Sequence, residues 1–296
     1  MRRSSGPTHR LFQPVKNLLL QLDTSPHPSA FDRVVAFDAG ADEVMSYGGV
    51  TEATVRDLVH GAIFTRGPKD LHHTAIFVGG TDMAQGEQVL AAVLEAFFGP
   101  FRVSVMLDSN GANTTAVAAV ARMRQVLGSL AGRRAVVTAG SGPVGTRAAG
   151  LLAKAGADVV VTSRRSADGT LAASITKRFG GLVREAVMPD VLGAGAVLAG
   201  TELLLNAGPA GVTLVSRAAW AERPGLAVAV DVNAVPPAGI EGIEATDDGA
   251  TRDGVAVIGA LGVGALKMTL HKTCIARLFE RNDLVLDAET MADMLP

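Results

Sequence analysis

The chain has 296 residues, 48% of them hydrophobic and 19% charged, with 27 Lys and Arg against 29 Asp and Glu. At about 150 residues per domain this length suggests two domains, and the apolar content excludes disorder. A net charge of −2, an aromatic content of 4% and a single cysteine, Cys274, exclude a global field for nucleic acid, a stacking platform for single strands, an internal disulfide and a cysteine-built zinc site.

Residues 1–16 carry Arg2, Arg3, Arg10 and Lys16 with no acid before Asp23 and no apolar run long enough for a signal peptide. They read as a disordered basic leader on a cytoplasmic protein, or as a start-site artefact. No span reaches the ~20 apolar residues of a membrane helix. Residues 17–23, with their leucine run, are expected to form a strand buried on both faces. A turn follows at 25–29, then helix-like or mixed spacing at 31–39 and 50–60. Residues 74–80 read as a strand ending in a glycine turn, with Asp82 capping a helix over 83–98. A strand at 102–108, a polar loop at 109–113 and an Ala/Val-rich helix at 114–129 complete a first α/β domain, 17–128.

The alternation then becomes cleaner. Strands are expected at 135–139, 158–162, 182–186, 202–206 and 226–232, and helices at 144–155 and 171–179. A helical pattern runs from Gly264 to Arg281. This order predicts an α/β protein of two α/β domains separated by a cleft, the second (129–271) a Rossmann-type parallel sheet. A C-terminal helix, 272–296, is expected to pack back on the first domain.

Gly140-Ser141-Gly142-Pro143-Val144-Gly145 is a G-x-G-x-x-G between a buried strand and a helix, the context that dinucleotide binding requires. Gly140 permits the tight turn, Gly142 lets backbone approach a pyrophosphate, and Gly145 lets helix and strand pack closely. The helix N-terminus offers free N–H groups to phosphates. At the end of the next strand an acid would bind a ribose 2′-hydroxyl. This sequence has Thr162-Ser163-Arg164-Arg165 instead, 24 residues from Gly140 to Arg164. Two guanidinium groups beside Ser163 suit a 2′-phosphate, which favours NADP, with NAD the lesser possibility. Lys177 on the following helix either adds charge there or belongs to a solvated face.

Other chemistries lack their residues. The only tyrosine is Tyr47 and position 51 is Thr, so a Tyr-x-x-x-Lys pair is absent. His72 and His73 are adjacent, and in a strand they would point to opposite faces, so no metal is expected. No nucleophile elbow is present. Hydride transfer with little acid–base assistance remains.

Several motifs then coincide in order: Gly79-Gly80-Thr81-Asp82-Met83; Phe98-Gly99-Pro100-Phe101; Met106-Leu107-Asp108-Ser109-Asn110-Gly111-Ala112-Asn113-Thr114-Thr115; the glycine loop; Asp231-Val232-Asn233-Ala234-Val235-Pro236-Pro237; and Gly259-Ala260-Leu261-Gly262-Val263-Gly264-Ala265-Leu266-Lys267. From about Asn17 to its end the chain resembles the bacterial NAD(P)-dependent methylene-tetrahydromethanopterin dehydrogenases of one-carbon metabolism. The resemblance implies transfer of hydride from the methylene bridge of a tetrahydropterin carrier to NADP, giving a methenyl cation. Positioning of donor carbon and nicotinamide can supply ~7–11 kcal/mol of such catalysis.

The resemblance also assigns Lys267 to the active site, in a positioning or charge-tuning role. Near a helix start its cation would be disfavoured by ~0.3–1 kcal/mol. Asp108 and Asn110 are either pterin contacts or Asx-turn residues. Phe31 and Asp32 are expected in the same cleft, and Ala207, Gly208 and Asn233 at the nicotinamide ribose. A homo-oligomer, trimer or dimer, is implied. The alternative substrate is methylene-tetrahydrofolate. Position 43 is Glu, so the Tyr–Lys pair of folate dehydrogenase/cyclohydrolases is missing and no cyclohydrolase activity is expected. A non-catalytic NADP-binding sensor is the reading from a different class.

Overall fold

A computed structural model describes residues 15–295, and all but the last two residues of the expected leader lie outside the described residues. The first part of the chain forms β1 (Leu18–Asp23), α1 (Ala30–Asp38), β2 (Glu43–Tyr47), α2 (Val55–Ile63), β3 (Thr74–Gly79), α3 (Met83–Glu95), β4 (Ser104–Leu107) and α4 (Ala112–Leu127). The second forms β5 (Arg134–Thr138), α5 (Pro143–Lys154), β6 (Asp158–Ser163), α6 (Thr170–Phe179), β7 (Leu182–Val187), α7 (Ala194–Val197), β8 (Leu203–Asn206), α8 (Arg217–Trp220), β9 (Val228–Asp231), β10 (Asp248–Arg252) and β11 (Val255–Ile258). The chain ends with α9 (Ala260–Arg277), β12 (Val285–Leu286) and α10 (Ala288–Ala292).

The first sheet runs β12-β4-β3-β1-β2 and is parallel throughout. β1 lies between β2 and β3, with Leu20 level with Met45 on one side and Ile76 on the other. Helices cover both faces, so its leucines are buried whichever way they point. The second sheet runs β10-β11-β9-β8-β5-β6-β7, parallel except for the β10–β11 hairpin. Its strand order reverses between β5 and β8, which opens a crevice beyond their carboxyl ends.

Helix α4 joins the two sheets. Ten of its sixteen residues are buried, on all sides, including the run Ala116 to Ala121. Small side chains let it pack against α5, α9 and α10 at once. Buried Arg147 on α5 fixes this junction. It donates to Asn113 on α4, to the Pro143 carbonyl at 3.1 Å and to Glu87 on α3 at 2.7 Å. Removing one partner of so buried a cation is costly.

Several sequence expectations change. Residues 43–47, unassigned by pattern, form edge strand β2, where only Val44 is fully buried and no alternation exists to detect. The helix expected from residue 50 begins at Val55. Residues 272–296 are not one helix. Residues 272–277 are the last turns of α9, then β12 adds to the first sheet beside β4, and α10 packs on α4. His72 and His73 lie in a 3₁₀ turn, Leu71–His73, rather than a strand, so their rings meet at 4.0 Å instead of diverging. Each ring uses Nδ1 locally, His72 against the Lys69 carbonyl and His73 against Asn17. No helix among the described residues is long and apolar enough to cross a membrane.

Candidate active site

The crevice at the carboxyl ends of β5, β6 and β8 holds a cavity of about 710 Å³. Its floor is the glycine turn. Ala139, at the end of β5, adopts φ +52°, a left-handed conformation that costs a non-glycine residue of order 1–3 kcal/mol and recurs where backbone is held for a ligand. Three glycines follow, and they are required for different reasons. A Cβ on Gly140 would lie 2.7 Å from the Val161 side chain, and one on Gly145 would lie 2.7 Å from the Ala139 carbonyl. Protein packing therefore demands both. A Cβ on Gly142 would meet nothing nearer than 3.5 Å, and its φ of −75° suits any residue. Gly142 faces the cavity, so the space its missing side chain leaves is available to a ligand's phosphates. Pro143 opens α5 without wasting a hydrogen bond.

Ser141, Gly142, Pro143 and Val144 line the cavity, with Ser163 and Arg164 at the end of β6 and Ala207 and Gly208 after β8. Arg164 and Arg165 are exposed, and neither is committed to an ion pair among the described residues. These groups fit the phosphates of a dinucleotide. Two expected contacts are not brought here. Lys177 sits in the last turn of α6, which runs away from the carboxyl ends of the strands, and is solvent-exposed. Asn233 is buried and spends its amide on its own loop, donating to the Pro237 carbonyl at 3.2 Å and accepting from Val235 N–H at 3.0 Å.

The other wall comes from the first sheet. Asn110 and Thr115 line the same cavity. Asn110 and Gly111 both take left-handed φ, +55° and +60°, in the tight turn after β4. Asp108 itself points inward, accepting from Thr114 N–H at 3.0 Å and Thr114 Oγ1 at 2.6 Å, and so tethers the start of α4. Lys267 reaches this turn from α9. A Cβ on Gly111 would lie 2.7 Å from Lys267 Nζ, so only glycine there leaves the ammonium its place. Nζ also lies 5.5 Å from the centre of the Phe31 ring, within cation–π range. Burial pushes the Asp32 carboxyl up to about 6, with Asp108 adding to the rise and Ser29 and Lys267 opposing it. Phe31, Asp32, Asp108 and Lys267 thus share one corner, although they come from three distant segments.

Lys267 is not near a helix start. Helix α9 begins at Ala260, four residues before the start expected at Gly264, and the glycines ahead of Lys267 serve close packing. A Cβ on Gly259 would lie 2.0 Å from the Glu244 carbonyl, and one on Gly262 2.5 Å from the Asp247 carbonyl. The macrodipole therefore bears little on Lys267, because it acts within the first turn.

Sequence reasoning missed His271. It lies one helical turn after Lys267, on the same face, and is 1% exposed. The i, i+4 spacing was the available signal. Its ring stacks on Phe77 at 5.6 Å and meets Phe31 at 6.4 Å. Nδ1 is 3.8 Å from Asp108 Oδ2, too far for a hydrogen bond, and neither ring nitrogen has a partner. Burial pushes the imidazolium down, Lys267 adds to this, and Asp108 opposes it, so the ring is neutral. An unpaired buried polar group costs about 1–3 kcal/mol.

Comparison with known proteins places the chain. Residues 30–110 match the family described as methylene-tetrahydromethanopterin dehydrogenase, N-terminal. The chain is 49% identical over 276 residues to the bifunctional protein MdtA of Methylorubrum extorquens, covering 93% of this chain and 96% of that one. It is 34% identical over 281 residues to the NAD(P)-dependent methylenetetrahydromethanopterin dehydrogenase of the same organism, covering 90% and 93%. Among solved structures, shikimate 5-dehydrogenase from Listeria monocytogenes shares the fold, with a TM-score of 0.54 at 13% identity over 96% of this chain and 98% of that one. The chain belongs to the methylene-tetrahydromethanopterin dehydrogenase family.

Proposed function

We propose that this family member is an NADP-dependent oxidoreductase that takes a hydride from methylene-tetrahydromethanopterin and leaves the methenyl cation. The observation that carries the reading is the shared cavity. Its lining joins Ser141, Gly142 and Arg164 of the second sheet to Asn110 and Thr115 of the first, whose turn Lys267 contacts. A dinucleotide laid on the glycine turn therefore points its far end at the corner that holds Phe31, Asp32 and Lys267. The bound NADP supplies the hydride acceptor.

The protein's own residues do the rest. The glycine turn and the start of α5 hold the pyrophosphate, and Arg164 with Arg165 pairs the 2′-phosphate. Phe31 offers an apolar face to the pterin, and Lys267 and Asn110 orient it. The product cation is stabilised by the adjacent nitrogen lone pair, so no proton leaves in the same step and no general base is needed. An ionised Asp32 favours the developing positive charge, whereas the Lys267 ammonium opposes it, which assigns Lys267 to orientation. The match of residues 30–110 to the methylene-tetrahydromethanopterin dehydrogenase family, with the 34% identical methylenetetrahydromethanopterin dehydrogenase, supports tetrahydromethanopterin as carrier, and a homo-oligomer accords with the family resemblance.

The test is a steady-state comparison of methylene-tetrahydromethanopterin and methylene-tetrahydrofolate with NADP and NAD, following absorbance of the reduced nucleotide and the methenyl product. Highest kcat/KM with the methanopterin carrier and NADP is expected. Nucleotide binding without turnover on either pterin would leave a sensor.

A further inference from the structure

We infer that His271 is a substrate-positioning residue: with its Nδ1–H turned toward Asp108, its Nε2 lone pair accepts an N–H from the pyrimidine edge of the reduced pterin. The inference rests on the function proposed above and adds a residue to its site. Four observations carry it. The imidazole is 1% exposed, and both of its nitrogens lack partners, in a chain that otherwise satisfies its buried side chains closely around this corner. It lies on α9 one turn from Lys267, whose ammonium packs on Phe31. The Asp108 carboxylate at 3.8 Å selects the tautomer with hydrogen on Nδ1, leaving Nε2 as the acceptor. The two rings packed on the imidazole differ in setting: Phe77 is buried in β3, whereas Phe31 is 50% exposed at the surface of α1.

A purely structural histidine would be a poor choice here. Leucine fills similar space against Phe77 and leaves no polar atom unpaired. Asp108 from the end of β4, Lys267 from its own helix and the two phenylalanines lie about the ring, and Nε2 has no hydrogen-bond partner. The acceptor is left over for something that arrives. A reduced pterin carries N–H donors on its pyrimidine edge, and Phe31 at the mouth gives its ring a face to lie on.

The experiment compares His271→Leu and His271→Gln with the unsubstituted protein by pterin KM, kcat, NADP affinity and Tm. In His271→Leu the pterin KM rises about tenfold, the value of one hydrogen bond, while NADP affinity is unchanged and Tm does not fall. In His271→Gln, whose side-chain oxygen reaches the Nε2 position, most of the pterin KM is restored. An unchanged KM in His271→Leu, with normal turnover of the unsubstituted protein, overturns this inference alone. So does an equal loss in both variants accompanied by weaker NADP binding and lower Tm, which marks the ring as packing only. Absence of NADPH formation by the unsubstituted protein overturns the proposed function as well.

Discussion

The two walls of the cleft are built on opposite plans. The nucleotide wall is a contiguous stretch, Ala139 to Gly145, whose shape is dictated by close backbone packing and whose polar groups are mostly main-chain. The facing wall presents Asn110 and Thr115 after β4, and beside it Phe31 of α1, Lys267 and the buried His271 of α9 gather in a corner with shifted or unpaired groups. Binding a common cofactor needs geometry that a short motif can encode. Holding one particular carrier needs side chains that only the folded chain brings together.

The largest effect follows from the least chemical change. Gly145→Ala places a methyl 2.7 Å from the Ala139 carbonyl, so backbone must move; a loss of about 1–3 kcal/mol of stability and of NADP binding is expected by thermal melting and titration. Gly142→Ala meets nothing closer than 3.5 Å, and it should leave Tm unchanged while weakening NADP. Equal melting of the two variants would break the distinction between packing glycines and the cofactor glycine.

On the other wall, Lys267→Ala should lower kcat by about a hundredfold with NADP affinity intact, because misplacing the carrier by about 1 Å costs that much. Near-normal turnover would remove Lys267 from the site. The Arg164→Ala, Arg165→Ala pair should weaken NADP by roughly 10- to 100-fold, as expected for charged hydrogen bonds, and spare NAD. Equal loss of both nucleotides would refute the 2′-phosphate reading.

The smallest effect is set by pH. The Asp32 carboxyl titrates near 6 in the folded protein against 3.8 ordinarily, so the folded state holds the extra proton between those values. Ionised Asp32 thus costs some stability above pH 6, reduced by solvent screening of the half-buried carboxyl, and the cost disappears as pH falls below 4. Asp32→Asn should raise Tm at pH 7 and not at pH 3.5. The same ionisation should make oxidation in the unsubstituted protein decline below pH 6, and Asp32→Asn should flatten that limb of the kcat/KM profile.

Legibility in the sequence followed the same division. The leucine run of β1 and the valine-rich β5 and β6 were readable because burial on both faces makes the middle of a strand mostly apolar. Edge strand β2 was not, since an edge needs no such pattern. Residues 259–264 misled for a definable reason: glycine usually interrupts a helix, yet Gly259 and Gly262 are there because the Glu244–Asp247 carbonyls press against α9. His271 was overlooked because its one signal, the i, i+4 spacing from Lys267, says which helix face the ring is on and not what it meets there.

The sequence by itself determined the alternation of strands and helices, the glycine turn with its basic follow-up at Arg164 and Arg165, and the likeness that points to Lys267. These depend on periodicity and on neighbours within a few residues. Tertiary structure alone decided that Asp108 turns inward to Thr114, that Lys177 and Asn233 lie off the cavity lining, and that Gly111 leaves room for the Lys267 ammonium. The last of these depends on which surfaces meet across α4 and α9, a meeting of residues more than a hundred positions apart, and the others on which way a side chain turns once its loop is packed.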